Sequence, residues 1–224
     1  MSFVCQYCDR SFIKETTLAV HVCEQKRREQ ERNEMGVQLG LQAYLKFYDY
    51  TQGSSRLKSW DGFAKSPYYR AFVKFGRYCV GLRAVNPVRF MDWLLKNNKK
   101  IDYWCKDAFY TEYLIGYLRV EAVDDALARA IEYGIAWQES TSNPAHDCLR
   151  YGNANAICHA VTTGKISPWV IYNSESGQKF LNSLDQTQIA MIWCYIDSDV
   201  WQKKFNDYNA DQAYAQEILK QAGW

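Results

Sequence analysis

The chain has 224 residues, 48% hydrophobic and 23% charged, with a net charge of +2. That is the composition of a globular protein with room for a small module and one substantial domain. No apolar run approaches the roughly 18 residues of a membrane span, and no apolar h-region follows a basic start, so neither a membrane partner nor export is expected. The charge is unevenly spread: residues 1–35 carry six Lys/Arg and six Asp/Glu, residues 36–100 twelve and three, and residues 101–224 nine and sixteen. Such an asymmetry suits one surface for an anionic partner, or two halves that neutralise each other.

In chain order, residues 1–23 come first. Cys5 and Cys8 form a Cys-x2-Cys pair, His21 follows twelve residues after Cys8, and Cys23 comes two residues later. Phe3, Phe12 and Leu18 supply apolar filler between the ligands. A segment this short cannot bury enough apolar surface to offset its chain entropy. A structural Zn2+ held by Cys5, Cys8, His21 and Cys23 would supply about 10 kcal/mol or more. Residues two apart on a continuing helix lie about 200° round its axis. His21 and Cys23 can therefore share a metal only if the helix ends near His21. The spacing and filler resemble the C2H2 zinc-finger family, with Cys23 departing from the usual second His. The resemblance implies a ββα module, and Lys14, Thr17 and Val20 at its base-facing positions. Val20 carries no hydrogen-bonding group, which argues against sequence-specific reading. A closed four-ligand site is structural and not catalytic.

Residues 24–35 are charged and lack Pro, and residues 24–34 hold no apolar residue. Opposite charges three and four apart, as in Glu24 with Arg28 or Arg28 with Glu31, predict a solvated helical linker. From residue 36 to 224 the periodicity is helical, which predicts one all-α domain and a mainly α protein. Val37, Leu41, Tyr44, Leu45 and Tyr48 form one stripe, and Gln52-Gly53-Ser54-Ser55 breaks the chain. Helices are predicted over 67–82, 87–97, 102–119, 121–139, 144–163, 184–196, 199–206 and 210–222, with the longest loops in the Ser/Asn/Thr/Gly-rich stretch 140–183. Asn86-Pro87, Asn143-Pro144 and Ser167-Pro168 read as N-caps followed by proline.

Within 67–82, Arg70, Lys74 and Arg77 fall within about 60° of one another, opposite Phe72, Phe75 and Cys79. This basic face, with Lys65, Lys14 and flanking Arg56, Lys58, Arg83 and Arg89, is the candidate nucleic-acid surface. Tyr68 or Tyr69 are placed to stack on bases. The alternative is a solvated face, or one docked on the acidic C-terminal half.

His146, Cys148, Cys158 and His159 are too far apart on one helix to share a metal, so they read as packing. Asp124-Asp125 and Asp197/Asp199 read as helix caps and dipole partners. Phosphate-binding Gly-rich loops, His-Glu-x-x-His and Gly-x-Ser-x-Gly are all lacking, which leans against an enzyme. Five of the eight cysteines lie scattered outside the finger, as expected of reduced thiols in a cytoplasmic compartment. Most tryptophans are expected in the core, and Trp224 at a loose terminus.

The finger, the segment Cys23-Glu24-Gln25-Lys26-Arg27-Arg28 and the stretch 71–78 also resemble zinc-finger-headed helical proteins of tailed bacteriophages, a group that brings no settled role. The chain is thus expected to be a non-enzymatic accessory protein. It would associate non-specifically with nucleic acid through residues 36–100, in phage DNA or transcription processes in the host cytoplasm. The alternative is a protein–protein adaptor or virion component docking through the finger.

Overall fold

A computed structural model describes residues 2–53 and 59–224. It is mainly helical, with a single two-stranded ribbon among the described residues. The chain gathers into two compact units, residues 1–106 and 107–224.

The first unit starts with β1 (Phe3–Val4) and β2 (Ser11–Phe12), paired antiparallel with Phe3 opposite Phe12. Then come α1 (Glu15–Ala19), α2 (Glu24–Gln30), α3 (Met35–Gln52), α4 (Trp60–Lys65), α5 (Tyr69–Leu82) and α6 (Pro87–Lys96), and a 3-10 turn over Ile101–Tyr103. The start of α6 follows its sequence signal: Asn86 accepts from the Arg89 N–H, with Pro87 in the first turn. The core is aromatic. Phe63, Phe72, Phe75, Phe90 and Trp104 are fully buried, and Trp104 sits edge-on to Phe72 and Phe75.

Helices α3 and α5 cross at backbone contact. A Cβ on Gly76 would lie 1.9 Å from the Gly36 carbonyl oxygen and 2.7 Å from the Gly40 nitrogen. The buried face of α3 is accordingly Gly36, Val37, Gly40, Ala43 and Tyr44. It is a stripe of small residues, rotated from the predicted one so that Leu41 and Leu45 sit at its border.

The second unit comprises α7 (Asp107–Leu118), α8 (Val123–Thr141), α9 (Cys148–Tyr151), α10 (Ala154–Thr162), α11 (Pro168–Asn173), α12 (Glu175–Ser183), α13 (Gln186–Ile196), α14 (Ser198–Asp207) and α15 (Asn209–Gln221). The stretch predicted as one helix over 144–163 is broken at Gly152-Asn153. The Asn153 side chain accepts from the Ala156 N–H and starts α10 afresh. Asn143 caps nothing, because a 3-10 turn begins at Ala145. Stretch 140–183 is not loop-rich as predicted. Ser167 and Ser174 act as N-caps, starting α11 and α12 inside it. Asp197 caps α14, and Asp124 and Asp125 occupy the first turn of α8.

Trp169 and Trp201 pack at the core of this unit, whereas Trp193 is exposed. Trp224 is 7% exposed, which corrects the expectation of a loose terminus. Gly134 leaves room for its ring, which a Cβ there would meet at 3.0 Å.

Glu121 is a buried carboxylate. It accepts from the Ser167 hydroxyl at 2.8 Å and from Arg129 at 2.6 Å. Burial pushes its carboxyl up, against the pull of Arg129.

Candidate metal centre and basic groove

The metal cluster is built by three local devices. The Cys5–Cys8 turn is closed by Cys5 N–H donating to Arg10 O and Asp9 N–H donating to Cys5 O, both at 2.9 Å, with Asp9 at φ 57°. The short α1 stops at Ala19, and the His21 N–H returns to the Leu18 carbonyl at 3.1 Å. Cys23 then takes extended backbone angles as the N-cap of α2, its sulfur accepting from the Lys26 N–H. The helix thus ends before His21, which is the condition for Cys23 to join the other three ligands.

The ligand atoms of Cys5, Cys8, His21 and Cys23 all lie within 4.8 Å of one another. His21 Nε2 is 3.3 Å from Cys8 Sγ, so it is Nε2 that faces the sulfurs. A tetrahedral metal with bonds of about 2.0–2.3 Å needs ligand separations of about 3.5–3.8 Å, a range that the cluster's 3.3 Å Cys8–His21 separation and 4.8 Å upper limit bracket. The Phe12 ring packs on His21 with centroids 4.7 Å apart and holds the imidazole in place.

The sulfurs make unequal acids. The Tyr7 backbone N–H, outweighing burial, holds the Cys5 thiol below its ordinary value. The Arg10 backbone N–H favours the Cys8 thiolate, yet burial and the neighbouring Cys5 and Cys23 sulfurs together raise the thiol above its ordinary value. Adjacent thiolates repel, and a divalent cation among them removes that obstacle. No residue of α1 is buried, so the ligand cluster and the Phe12–His21 contact are what organise the module. Among the described residues no other His/Cys/Asp/Glu group is arranged to hold a metal. Cys148 and Cys158 are fully buried, and burial drives the Cys148 thiol up to about 12.

The segment after the cluster is not the solvated linker expected. The Glu24–Arg28 pair forms, but Arg28 also donates to the Ala64 carbonyl and lies 4.2 Å from the centroid of the Tyr69 ring. Trp60 Nε1 donates to Glu29, and Arg32 sits over the Trp60 ring. Aromatic rings on α4 and α5 give the long charged side chains of α2 apolar surface to cover. As a result α2 straps across both helices.

The strap meets the predicted basic face. Arg70 pairs with Glu24 at 3.0 Å, and Arg77 pairs with Glu34 at 2.6 Å and Glu31 at 3.2 Å. Arg77 holds the Glu34 carboxyl below the usual carboxylate range. Among the described residues Lys74 and Arg27 are exposed and have no carboxylate partner. A groove between α2 and α5 is walled by Arg27, Arg28, Arg70, Lys74 and Arg77, with Glu24, Glu31 and Tyr69.

Tyr68 is 51% exposed and available for stacking, but Tyr69 is only 5% exposed, because Arg28 covers its ring. The expected stacking role therefore fails for Tyr69. Lys65 and Lys14 are exposed. Arg56 and Lys58, and the break at Ser54-Ser55, lie outside the described residues.

In the sequence Lys26, Arg27 and Arg28 could touch phosphate but read as a solvated surface; sequence reasoning missed that Arg27 and Arg28 line this groove, and that Glu24, Glu31 and Glu34 pair with its arginines. A signal for them existed: Glu24 and Glu31 are seven residues apart, as are Arg70 and Arg77, so two helical faces carry matching charges two turns apart.

Comparison with protein-family models, curated proteins and solved structures returns no match for this chain. Among the described residues no helix is long and apolar enough to cross a membrane.

Proposed function

We propose that this is a non-enzymatic accessory protein. Its N-terminal module is organised by a structural Zn2+ on Cys5, Cys8, His21 and Cys23, and its first unit associates with nucleic acid without sequence specificity. Three sulfurs and one imidazole are the donor set that suits zinc. The observation that carries the nucleic-acid reading is the match of charge to structural unit: residues 1–106 hold nineteen Lys/Arg against ten Asp/Glu, and residues 107–224 hold eight against fifteen. Cations without carboxylate partners, Lys74 and Arg27, are free to meet phosphates, and exposed Tyr68 to meet bases.

The test is binding of a labelled single-stranded 20-mer by the full zinc-loaded chain across a salt series. Affinity falling with salt at a slope of several units supports the reading, and no binding at low salt sinks it. A second reading, a protein adaptor, is favoured by the exposure of apolar residues on the finger: Ile13 is 91%, Val20 77% and Val22 63% exposed. These include a base-facing position, where hydrogen-bonding side chains would be needed for DNA. If zinc-loaded protein binds no polyanion, this reading stands.

A further inference from the structure

The groove between α2 and α5 offers more than scattered surface charge. Two residues that line it each carry a buried polar atom with no hydrogen-bond partner, the Tyr69 hydroxyl and Arg28 Nε. They are neighbours, since the Arg28 guanidinium lies against the Tyr69 ring. Tyr69 lines the groove together with Arg28, Glu31 and Arg77, whose charges act on its phenol. Burial keeps the phenol protonated.

Both atoms are donors at neutral pH, and a buried donor without an acceptor is unfavourable. Carboxylates already occupy the other guanidinium faces: Glu24 bridges Arg28 and Arg70, and Glu31 reaches Arg77. These pairs hold the cations in fixed positions while leaving Arg27 and Lys74 uncompensated at the same groove. A ligand that satisfies such a site must bring acceptor oxygens on several sides and negative charge. Phosphate does both, and arginine forks match its geometry.

We propose that this groove seats one phosphate of a nucleic-acid backbone, with Arg27 and Lys74 supplying the uncompensated charge and the Tyr69 hydroxyl donating to it. The inference rests on the nucleic-acid reading above and specifies where the contact falls. It also recruits the α2 strap, so that the grip includes residues outside 36–100.

The test uses the full zinc-loaded chain with a fluorescein-labelled dT 20-mer, followed by anisotropy, and three forms of the protein: parent, Tyr69→Phe, and Arg27→Gln with Lys74→Gln. The double variant is expected to bind at least about tenfold more weakly and to lose about 1.4 from the log–log salt slope, two single-strand contacts at about 0.7 each. Tyr69→Phe is expected to weaken binding about fivefold and leave the slope unchanged. Because the hydroxyl is a buried donor with no partner in the protein, Tyr69→Phe should keep or raise the parent melting temperature, which separates loss of a contact from loss of fold. If the parent binds and both variants match it, the groove is wrong while nucleic-acid association stands. If the parent fails to bind, both fall. If inorganic phosphate alone raises the melting temperature of the parent but not of the variants, and the oligonucleotide does not bind, the site belongs to a free phosphate ion and the backbone assignment is overturned.

Discussion

At the scale of single residues, Cys23 has two roles that can be separated. It belongs to the cluster that could hold a metal, and it is the N-cap of α2 by hydrogen bond. Serine is a good N-cap but does not replace a thiolate. Cys23→Ser is therefore expected to keep α2 while weakening zinc by more than the roughly 10–100-fold that loss of an outer-shell partner costs. Cys23→Ala should lose both. Zinc per chain after dialysis against a weak chelator reads the metal, and amide exchange at Lys26 reads the cap. Equal zinc retention in Cys23→Ser and parent would remove Cys23 from the ligand set. Glu121 gives a second residue-scale prediction, in the other unit. Its removal leaves Arg129 and Ser167 without their partner in a buried place. Glu121→Ala is expected to cost about 3–5 kcal/mol in denaturant unfolding.

Between elements, contacts are set by residues too small or too charged to stand out in a hydrophobic pattern. The α3–α5 crossing depends on Gly36, Gly40 and Gly76, and nothing larger fits at Gly76. Gly76→Ala is expected to destabilise by about 1–3 kcal/mol or more, through forced separation of the two backbones, measured as a lower denaturation midpoint. This explains what was legible in the sequence. The clustering of Cys5, Cys8, His21 and Cys23 and the helical nature of the body could be read because Cys/His spacing and apolar periodicity are local. The face of α3 could not, because its register answers to a glycine 36 residues away from Gly40. The docking of α2 could not either, because it needs Arg28 to lie on the Tyr69 ring. The strap carries a pH signature. Arg77 depresses the Glu34 carboxyl, so the stabilisation from this pair is fully present above the ordinary carboxyl value of about 4.3 and is lost as pH falls through the lower folded value. The Trp60 indole N–H, hydrogen-bonded to Glu29 on the strap, should shift in NMR spectra over that acidic window. Protons also compete for the thiolate ligands, so Glu34→Gln at neutral pH provides the check: the same shift should occur with zinc retained.

Across the whole chain, charge and structure divide at nearly the same place. The excess of cations lies in residues 1–106 and the excess of carboxylates in 107–224. A polyanion concentrates where the potential is positive, and like charge repels it elsewhere. Hydrogen exchange of the full zinc-loaded chain, with and without a single-stranded oligonucleotide, should therefore show protection in α2 and α5 and none in α7–α15. The contrast is demanding, because α15 and α13 also present exposed aromatic residues, Tyr214 and Trp193. If stacking alone drove the association, those helices would be protected as well. Protection confined to the first unit, and vanishing as salt is raised, would make phosphate charge the source of affinity. Protection confined to the finger would move the contact from the basic groove to Ile13, Val20 and Val22, and with it the function from nucleic-acid association to docking on protein.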